Sequence, residues 1–177
     1  SPGFSGDDGR TSIFDYDVMP NHQNWMSDGK FDGSQFTDEQ KRLFDFYSKL
    51  LNFRLNSKAI NKGAFYDLMW VNPWYSNFDP QYVYAFLRYH DEDRLLVVVN
   101  FNLNESRYCQ VKISDDDALE YMRMKVTDDG EQTAENVLNM TAVDVMTGEE
   151  IQYNINDVGT KGIEMNLKPA DVKILKL

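Results

Sequence analysis

The spacing of apolar residues changes at about residue 63, and this change constrains the fold more than any other feature of the sequence. Before it, "FTDEQKRLFDFYSKLLNFRLN" spaces its apolar residues as an amphipathic helix does. After it, "YVYAFLRYH" alternates Val83, Ala85 and Leu87 with aromatic and polar residues. The next stretch, "RLLVVVNF", is almost continuously apolar, as a strand buried on both faces would be. The sequence therefore predicts one long helix followed by a β-rich body.

Segments with strand-like patterns recur through the second half of the chain, separated by polar turns such as "DED" and "MTGEE". No long helical pattern lies between them. They cover residues 64–70, 82–90, 94–101, 107–113, 141–146, 151–155, 162–167 and 171–177. Short strands in this arrangement predict a mainly β fold, an antiparallel, Greek-key-like β-sandwich of about eight strands.

The helical stretch has a recognisable start and an unusually wide apolar face. Thr37 and Gln40 have the spacing of a capping box. The apolar residues of helix 37–54 cover roughly 200° of the helical wheel, whereas a surface helix needs a stripe of about 100°. We therefore expect this helix to pack between two bodies, or to self-associate where one body is missing. A short helical turn is predicted to begin at Ser57 and to stop at Gly63.

Composition excludes several classes of function. The formal net charge of −11 argues against nucleic acid or an anionic membrane as a partner, because both require clustered cations. Neither a membrane span nor a signal peptide is predicted, and periplasmic, extracellular and cytoplasmic locations are all compatible with the sequence. Cys109 is the only cysteine, and its alternation with Val111 and Ile113 predicts a buried, inert thiol.

No pattern predicts a cofactor or a metal. Asp115, Asp116 and Asp117 lack the spacing of a calcium-binding loop, so we expect a solvated start of a short helix capped by Ser114. The two histidines have no second histidine or cysteine nearby, and no phosphate-binding loop is present.

The aromatic cluster "WVNPWYSNFDPQY", residues 70–82, has two interpretations. Trp70, Trp74 and Tyr75 could form a platform on which sugar rings stack, because each ring offers an apolar face beside a polar group. Alternatively, the aromatic residues close the end of the sandwich or contact the helix. The sequence favours this second, structural interpretation, and the burial of the rings distinguishes the two.

Residues 1–36 are rich in Gly, Asp, Asn and Ser, and their aromatic residues show no clear period. They read as a long loop, and loops of this length in compact domains are usually functional. Within it, "GFSGDDGRTSIFDY" has the composition of a ligand-facing segment.

Five stretches in this order resemble the C-terminal end of an α-amylase-type enzyme of glycoside hydrolase family 13. They are "GFSGDDGRTSIFDY", "MPNHQNWMSDGKFDG", "FTDEQKRLFDFYSKLLNFR", "INKGAFYDL" and "YAFLRYHDEDRLLVVVNFN". In that family a (β/α)₈ barrel ends with a long loop and a last helix, and a small β-sandwich called domain C follows. The resemblance covers essentially the whole chain. It implies that residues 1–62 are a remnant of the catalytic barrel and that residues 63–177 form the C-terminal sandwich.

The resemblance implies a role in a retaining enzyme that acts on α-glucans such as starch or maltooligosaccharides, by hydrolysis or glycosyl transfer. Retaining hydrolysis needs two carboxyl groups about 5 Å apart, and the family carries its catalytic carboxylates on upstream barrel strands. Those motifs are missing here, because His22 is followed by Gln and the pair His90-Asp91 falls in the predicted sandwich. We therefore expect the chain alone to be inactive and its sandwich to stabilise the missing barrel.

The resemblance also indicates where substrate could be contacted in the intact enzyme. Active sites of such barrels lie at the loops that follow the strands. Asp7, Asp8, Arg10 and Phe14, in the loop after the last barrel strand, are the residues expected to touch the glucan or to shape the cleft wall. The alternative function is a non-catalytic carbohydrate-binding module that uses the exposed Trp and Tyr rings.

Overall fold

A computed structural model of the protein describes residues 20–91, 93–113 and 139–177. These residues fall into two compact units, divided between Ser48 and Lys49. The predicted helix at Ser114 and the acidic triplet that follows it lie outside the described residues. The predicted division into a barrel remnant, 1–62, and a sandwich, 63–177, stays a prediction.

The first unit contains two helical elements and the beginning of a third. Helix α1 (Pro20–Met26) leads into a 3₁₀ turn at Ser27–Gly29, and helix α2 (Asp38–Asn56) begins after an irregular segment. The predicted capping box is present: the Thr37 N–H donates to Gln40 Oε1 at 3.0 Å, and the Gln40 N–H donates to Thr37 Oγ1 at 3.2 Å. The Gln40 side chain also bonds to Asn21 and Asn24, at 2.9 and 3.1 Å, so it joins α1 to the start of α2.

Three aromatic rings hold the first unit together. The ring centroids of Trp25 and Phe36 are 6.0 Å apart, those of Trp25 and Phe44 are 5.8 Å apart, and those of Phe36 and Phe44 are 5.5 Å apart. These separations lie in the range of favourable aromatic pairs, so the cluster stabilises the segment that lacks regular structure.

The second unit is a β-sandwich, as the alternating sequence pattern predicted. Its elements are helix α3 (Lys58–Asn61) and strands β1 (Ala64–Asp67), β2 (Val83–His90), β3 (Asp93–Asn100), β4 (Arg107–Val111), β5 (Asn139–Asp144), β6 (Glu150–Asn154), β7 (Ile163–Leu167) and β8 (Val172–Lys176). One sheet has the order β1-β2-β3-β8-β5-β6, the other pairs β4 with β7, and every pairing is antiparallel. Each of the eight predicted segments forms one strand, which confirms the mainly β prediction.

Strand β3 is buried on both faces, which explains its continuous apolar sequence. On one face, Leu96 and Val98 enter the main core between the two sheets. On the other face, Leu95 and Val97 pack with Ile174 in a second cluster. Partly buried residues of α2 and α3 cover that cluster: Leu50, Phe53 and Ile60.

Asparagine side chains organise the end of β3. Asn100 is buried, and its Nδ2 donates to the carbonyls of Glu105 and Lys168 at 2.9 and 2.8 Å. Asn102 accepts from the backbone N–H groups of Asn104 and Glu105, at 2.9 and 3.0 Å. The "NFNLN" stretch is therefore a turn in which side-chain amides replace strand pairing.

The short helix α3 lies where the sequence predicted it. Ser57 caps it, accepting from the Ile60 N–H at 3.3 Å. Gly63 lies just after α3, at a position with no room for a side chain. An added Cβ would lie 2.2 Å from the carbonyl oxygen of Ala59 and 2.6 Å from that of Tyr89. A glycine is required at this close approach of two backbone segments.

Helix α2 exposes a row of large apolar side chains, namely Leu43, Phe44, Phe46, Tyr47, Leu51 and Leu55. The exposure of these side chains agrees with the prediction that the apolar arc of this helix is wider than a single neighbouring body can cover. Self-association through helix 37–54 stays a prediction. Within the part of the chain that the structure describes, no helix combines the length and apolarity needed to cross a membrane.

Candidate functional site

The loop between β1 and β2 presents two tryptophans to solvent. Trp70 is 68% exposed and Trp74 is 84% exposed, whereas Phe78, eight residues beyond Trp70, is buried in the main core. The predicted aromatic cluster therefore divides into a structural part and an exposed part. The two exposed indoles, Trp70 and Trp74, are therefore the candidate site of this loop.

Asn72 holds this loop in place. Its side chain is fully buried, and Nδ2 donates to the carbonyls of Leu68 and Lys112, both at 3.0 Å. Its Oδ1 accepts from the Lys112 N–H at 2.8 Å. All of these partners are backbone groups, so the loop is attached to the residue that follows β4.

The two tryptophans are joined to each other. A 3₁₀ turn covers Asn72–Trp74, with Pro73 in its first turn, and the Tyr75 N–H closes it by donating to the Asn72 carbonyl at 3.0 Å. The Trp74 indole Nε1–H donates to the Trp70 carbonyl at 3.0 Å. Since the indole N–H is used within the loop, the orientation of the Trp74 ring is set while its faces stay exposed.

Tyr75 contributes differently from the tryptophans. The Lys112 ammonium nitrogen lies 3.2 Å from the centroid of the Tyr75 ring, a cation–π contact. One face of this ring is therefore occupied. Tyr75 and Lys112 are both partly buried, and Lys112 directly follows β4.

The end of the loop is structural. The Arg107 guanidinium lies 5.0 Å from the Tyr82 ring centroid and bonds to Asp79 at 3.0 Å and to Glu105 at 2.8 Å. The hydrogen bond with Glu105, together with Asp79, raises the pKa of Arg107 above its usual value. This network fixes the return of the loop into β2.

A separate pocket lies in the first unit and has a volume of about 390 Å³. Its lining is both aromatic and charged: Trp25, Phe31, Phe36, Phe44, Asp32, Gly33, Ser34, Lys41 and Asp45. Hydrogen bonds from the Ser34 side chain and backbone lower the pKa of Asp32, so its carboxylate is ionised at neutral pH. The sequence did not indicate this pocket, because the aromatic residues that line it follow no period.

The structure brings Trp70, Trp74 and Tyr75 together on one loop. Asp7, Asp8, Arg10 and Phe14 lie outside the described residues. Sequence reasoning missed Asn72, whose only signal is the Asn-Pro dipeptide typical of turns.

The remaining candidate residues take structural positions. Cys109 is fully buried, and burial raises the pKa of its thiol to about 12, in agreement with the predicted inert thiol. His90 ends β2, as expected for a strand end followed by a turn. No group of three or more His, Cys, Asp or Glu residues that could hold a metal ion occurs among residues 20–91, 93–113 and 139–177.

No family model and no curated protein matches this chain. Solved structures do match. A structure of AmyP in complex with maltose is 19% identical with a TM-score of 0.54, and a structure of an AmyP variant in complex with maltotriose is 16% identical with the same score. Both matches cover 83% of this chain and 23% of the AmyP chain.

A noncanonic maltogenic α-amylase, AmyB from Thermotoga neapolitana, matches 76% of this chain and 25% of its own, with 14% identity and a TM-score of 0.50. The chain therefore resembles in fold a fragment of glycoside hydrolase family 13 α-amylases. It spans about a quarter of the length of these structures.

Proposed function

We propose that this chain is the C-terminal portion of an α-amylase-type enzyme that acts on α-glucans, in which the β-sandwich stabilises a catalytic barrel. The observation that carries the proposal is the shared fold with AmyP, whose structures contain maltose and maltotriose. The wide exposed apolar face of helix α2 supports it, because a neighbouring barrel would bury that face.

The reading frame upstream of Ser1 tests this proposal directly. The expected result is an upstream coding region for a (β/α)₈ barrel that carries two catalytic carboxylates on its strands. A start codon immediately before Ser1 would contradict the proposal.

The 177-residue chain should release no reducing sugar from starch, because the catalytic carboxylates of the proposed enzyme lie upstream of it. Release of maltooligosaccharides by the purified chain, in proportion to its concentration, would contradict this expectation.

In the longer enzyme, Asp7, Asp8, Arg10 and Phe14 are proposed to contact substrate or to shape the cleft. Arg10→Ala should then raise KM for maltoheptaose or lower kcat. Lys30→Ala, which removes the same charge from an exposed position, is the matched control. Unchanged KM and kcat in the Arg10→Ala variant would contradict this part of the proposal.

A second candidate function is supported by a separate observation, the exposure of Trp70 and Trp74 on a loop anchored by buried Asn72. Here the sandwich binds an α-glucan through stacking of the sugar rings on the indoles. The anchored loop is organised before binding, which lowers the cost of ordering it.

Isothermal titration calorimetry with maltoheptaose, up to millimolar sugar, tests the second function on the 177-residue chain. We expect saturable heat that disappears in Trp74→Ala. Phe65→Ala is the matched control, because it also removes a half-exposed aromatic ring. Phe65 packs against Phe86 on the face of the large sheet that points away from the main core, and not on the tryptophan loop. Absence of heat, or equal loss in both variants, would leave the tryptophans without a role in binding.

A further inference from the structure

We propose that the sugar-binding surface continues from Trp74 across the outward face of the β4–β7 pair to Tyr108, and that it binds an α-glucan chain of several units. We call this surface the β4 strip; it comprises Trp74, Tyr75, Lys112, Gln110 and Tyr108. The inference rests on the proposed sugar-binding function of the tryptophans and extends it from a contact with single rings to recognition of a chain.

The alternation of β4 sets the direction of the strip. Cys109 and Val111 are fully buried in the main core. Because successive side chains of a strand point to opposite faces, Tyr108, Gln110 and Lys112 all point away from the core. The four-residue step from Tyr108 to Lys112 spans about 13 Å, at roughly 3.3 Å per residue. The strip is therefore much longer than one sugar ring.

The loop that carries the tryptophans is bonded along the free edge of β4. Asn72 pairs with the backbone of Lys112, and the Gln110 N–H donates to the Asn77 carbonyl at 2.9 Å. The Asn77 side chain also donates to Gln110 Oε1 at 2.7 Å. The aromatic groups at the two ends of the strip are thus held on two backbone segments that hydrogen bonds join to each other, which favours binding of an extended ligand.

Polar groups lie between the aromatic ends. The Gln110 side chain donates to Glu164 Oε1 at 2.8 Å, across the pairing of β4 with β7. Asn166 is the partner of Tyr108 in the same register and is exposed. The Glu164 carboxylate has further acceptor positions, and the Asn166 amide offers both donors and an acceptor, so these groups can bind sugar hydroxyls.

The charges on the strip favour a neutral ligand. Lys112 is its one cation, and its ammonium faces the Tyr75 ring; the neighbouring Glu164 carboxylate accepts from Gln110. The chain as a whole carries a formal charge of −11, which repels anionic polymers. A neutral polyhydroxylated chain is compatible both with the paired charges near the strip and with the negative net charge of the whole chain.

Tyr108 is suited to the far end of the strip. Its ring is 48% exposed, and it is the only aromatic side chain of β4. Partial desolvation, followed by the nearby Glu164 carboxylate, raises the pKa of Tyr108. Its hydroxyl already bonds to the neighbouring Glu164 and Gln110 side chains, so the aromatic ring is the part of Tyr108 that can contact a sugar.

Calorimetry with maltose, maltotriose and maltoheptaose on the 177-residue chain tests the strip. Affinity should rise with chain length in the wild-type protein. In Tyr108→Ala, maltoheptaose should bind about fivefold or more weakly and no better than maltotriose, the size expected for loss of one ring contact. Tyr108→Phe should keep the chain-length dependence, and Phe65→Ala is the control for loss of an exposed ring.

The outcomes separate the two proposals. If Trp74→Ala abolishes maltoheptaose binding while Tyr108→Ala leaves it unchanged, the tryptophan site stands and the strip is overturned. If no maltooligosaccharide binds the wild-type chain, both are overturned. Tighter binding of cellohexaose than of maltoheptaose would contradict the assignment to α-glucans. Thermal unfolding of Trp74→Ala and Tyr108→Ala near the wild-type temperature shows that a loss of binding in either variant is not a loss of folding.

Discussion

The buried side chain of Asn72 pairs with the backbone of Lys112 as a neighbouring strand would, donating to its carbonyl at 3.0 Å and accepting from its N–H at 2.8 Å. The two residues are 40 positions apart, and their pairing attaches the tryptophan loop to the second sheet. An amide side chain thus completes the edge of a two-stranded sheet that would otherwise leave backbone groups without partners.

Replacing Asn72 by alanine should destabilise the protein and loosen the loop. The change leaves the part-buried N–H and carbonyl of Lys112 without this partner, at a cost of about 1–3 kcal/mol for each unsatisfied group, while the Leu68 carbonyl still accepts from the Asn72 backbone N–H. Urea unfolding followed by circular dichroism measures the free energy of unfolding. Asn77→Ala, at an exposed position of the same loop, is the control and should cost less. Equal stability of Asn72→Ala and wild type would contradict the anchoring role.

Replacing Gly63 by alanine should be among the most destabilising single changes. The added Cβ would meet two backbone carbonyl oxygens, of Ala59 and Tyr89, and backbone cannot move aside as a side chain can. We expect a loss of more than about 2 kcal/mol in the free energy of unfolding. Differential scanning calorimetry checks this, with Lys62→Ala at an exposed neighbouring position as the control. A melting temperature of Gly63→Ala within about one or two degrees of wild type would refute the expectation.

Acid should weaken the attachment of helix α3 through Asp93. Burial favours the neutral carboxyl, but hydrogen bonds from the Ala59 N–H and the Ser57 hydroxyl, both at 2.8 Å, outweigh it and lower the pKa of Asp93. A lowered folded-state pKa contributes stability that is present above the unfolded value, about 3.9, and is lost as the pH falls below it.

Asp93→Asn should therefore lose stability at pH 7 and show a smaller decrease in melting temperature between pH 5 and pH 3 than wild type. The control is Glu150→Gln, at an exposed position of β6. If Asp93→Asn and wild type have the same pH dependence, the carboxylate does not hold the helix.

The thiol of Cys109 should be unreactive in the native protein. Burial raises its pKa to about 12, and the thiolate is the reactive form. A colorimetric thiol reagent at pH 8 should label less than about a tenth of the folded protein in an hour, on the order expected for a protected thiol. It should label all of the protein once urea unfolds the chain. Rapid labelling of folded protein would show that the β4–β7 pair opens readily.

Much of the fold was determined by local sequence. Strand-like patterns between polar turns identified all eight strands, including the doubly buried β3 by its continuous apolar run, and Thr37 with Gln40 identified the start of α2. These predictions succeed because strand alternation and helix capping depend on residues that are neighbours in sequence.

The candidate site was decided by the tertiary structure. Trp74 and Phe78 lie in the same irregular loop, where no period indicates that the first is exposed and the second buried. That difference arises because Asn72 bonds to Lys112, a residue 40 positions away, and the loop must follow the edge of β4. The sequence by itself determined which residues form strands; only long-range hydrogen bonding and packing decided which aromatic rings face solvent.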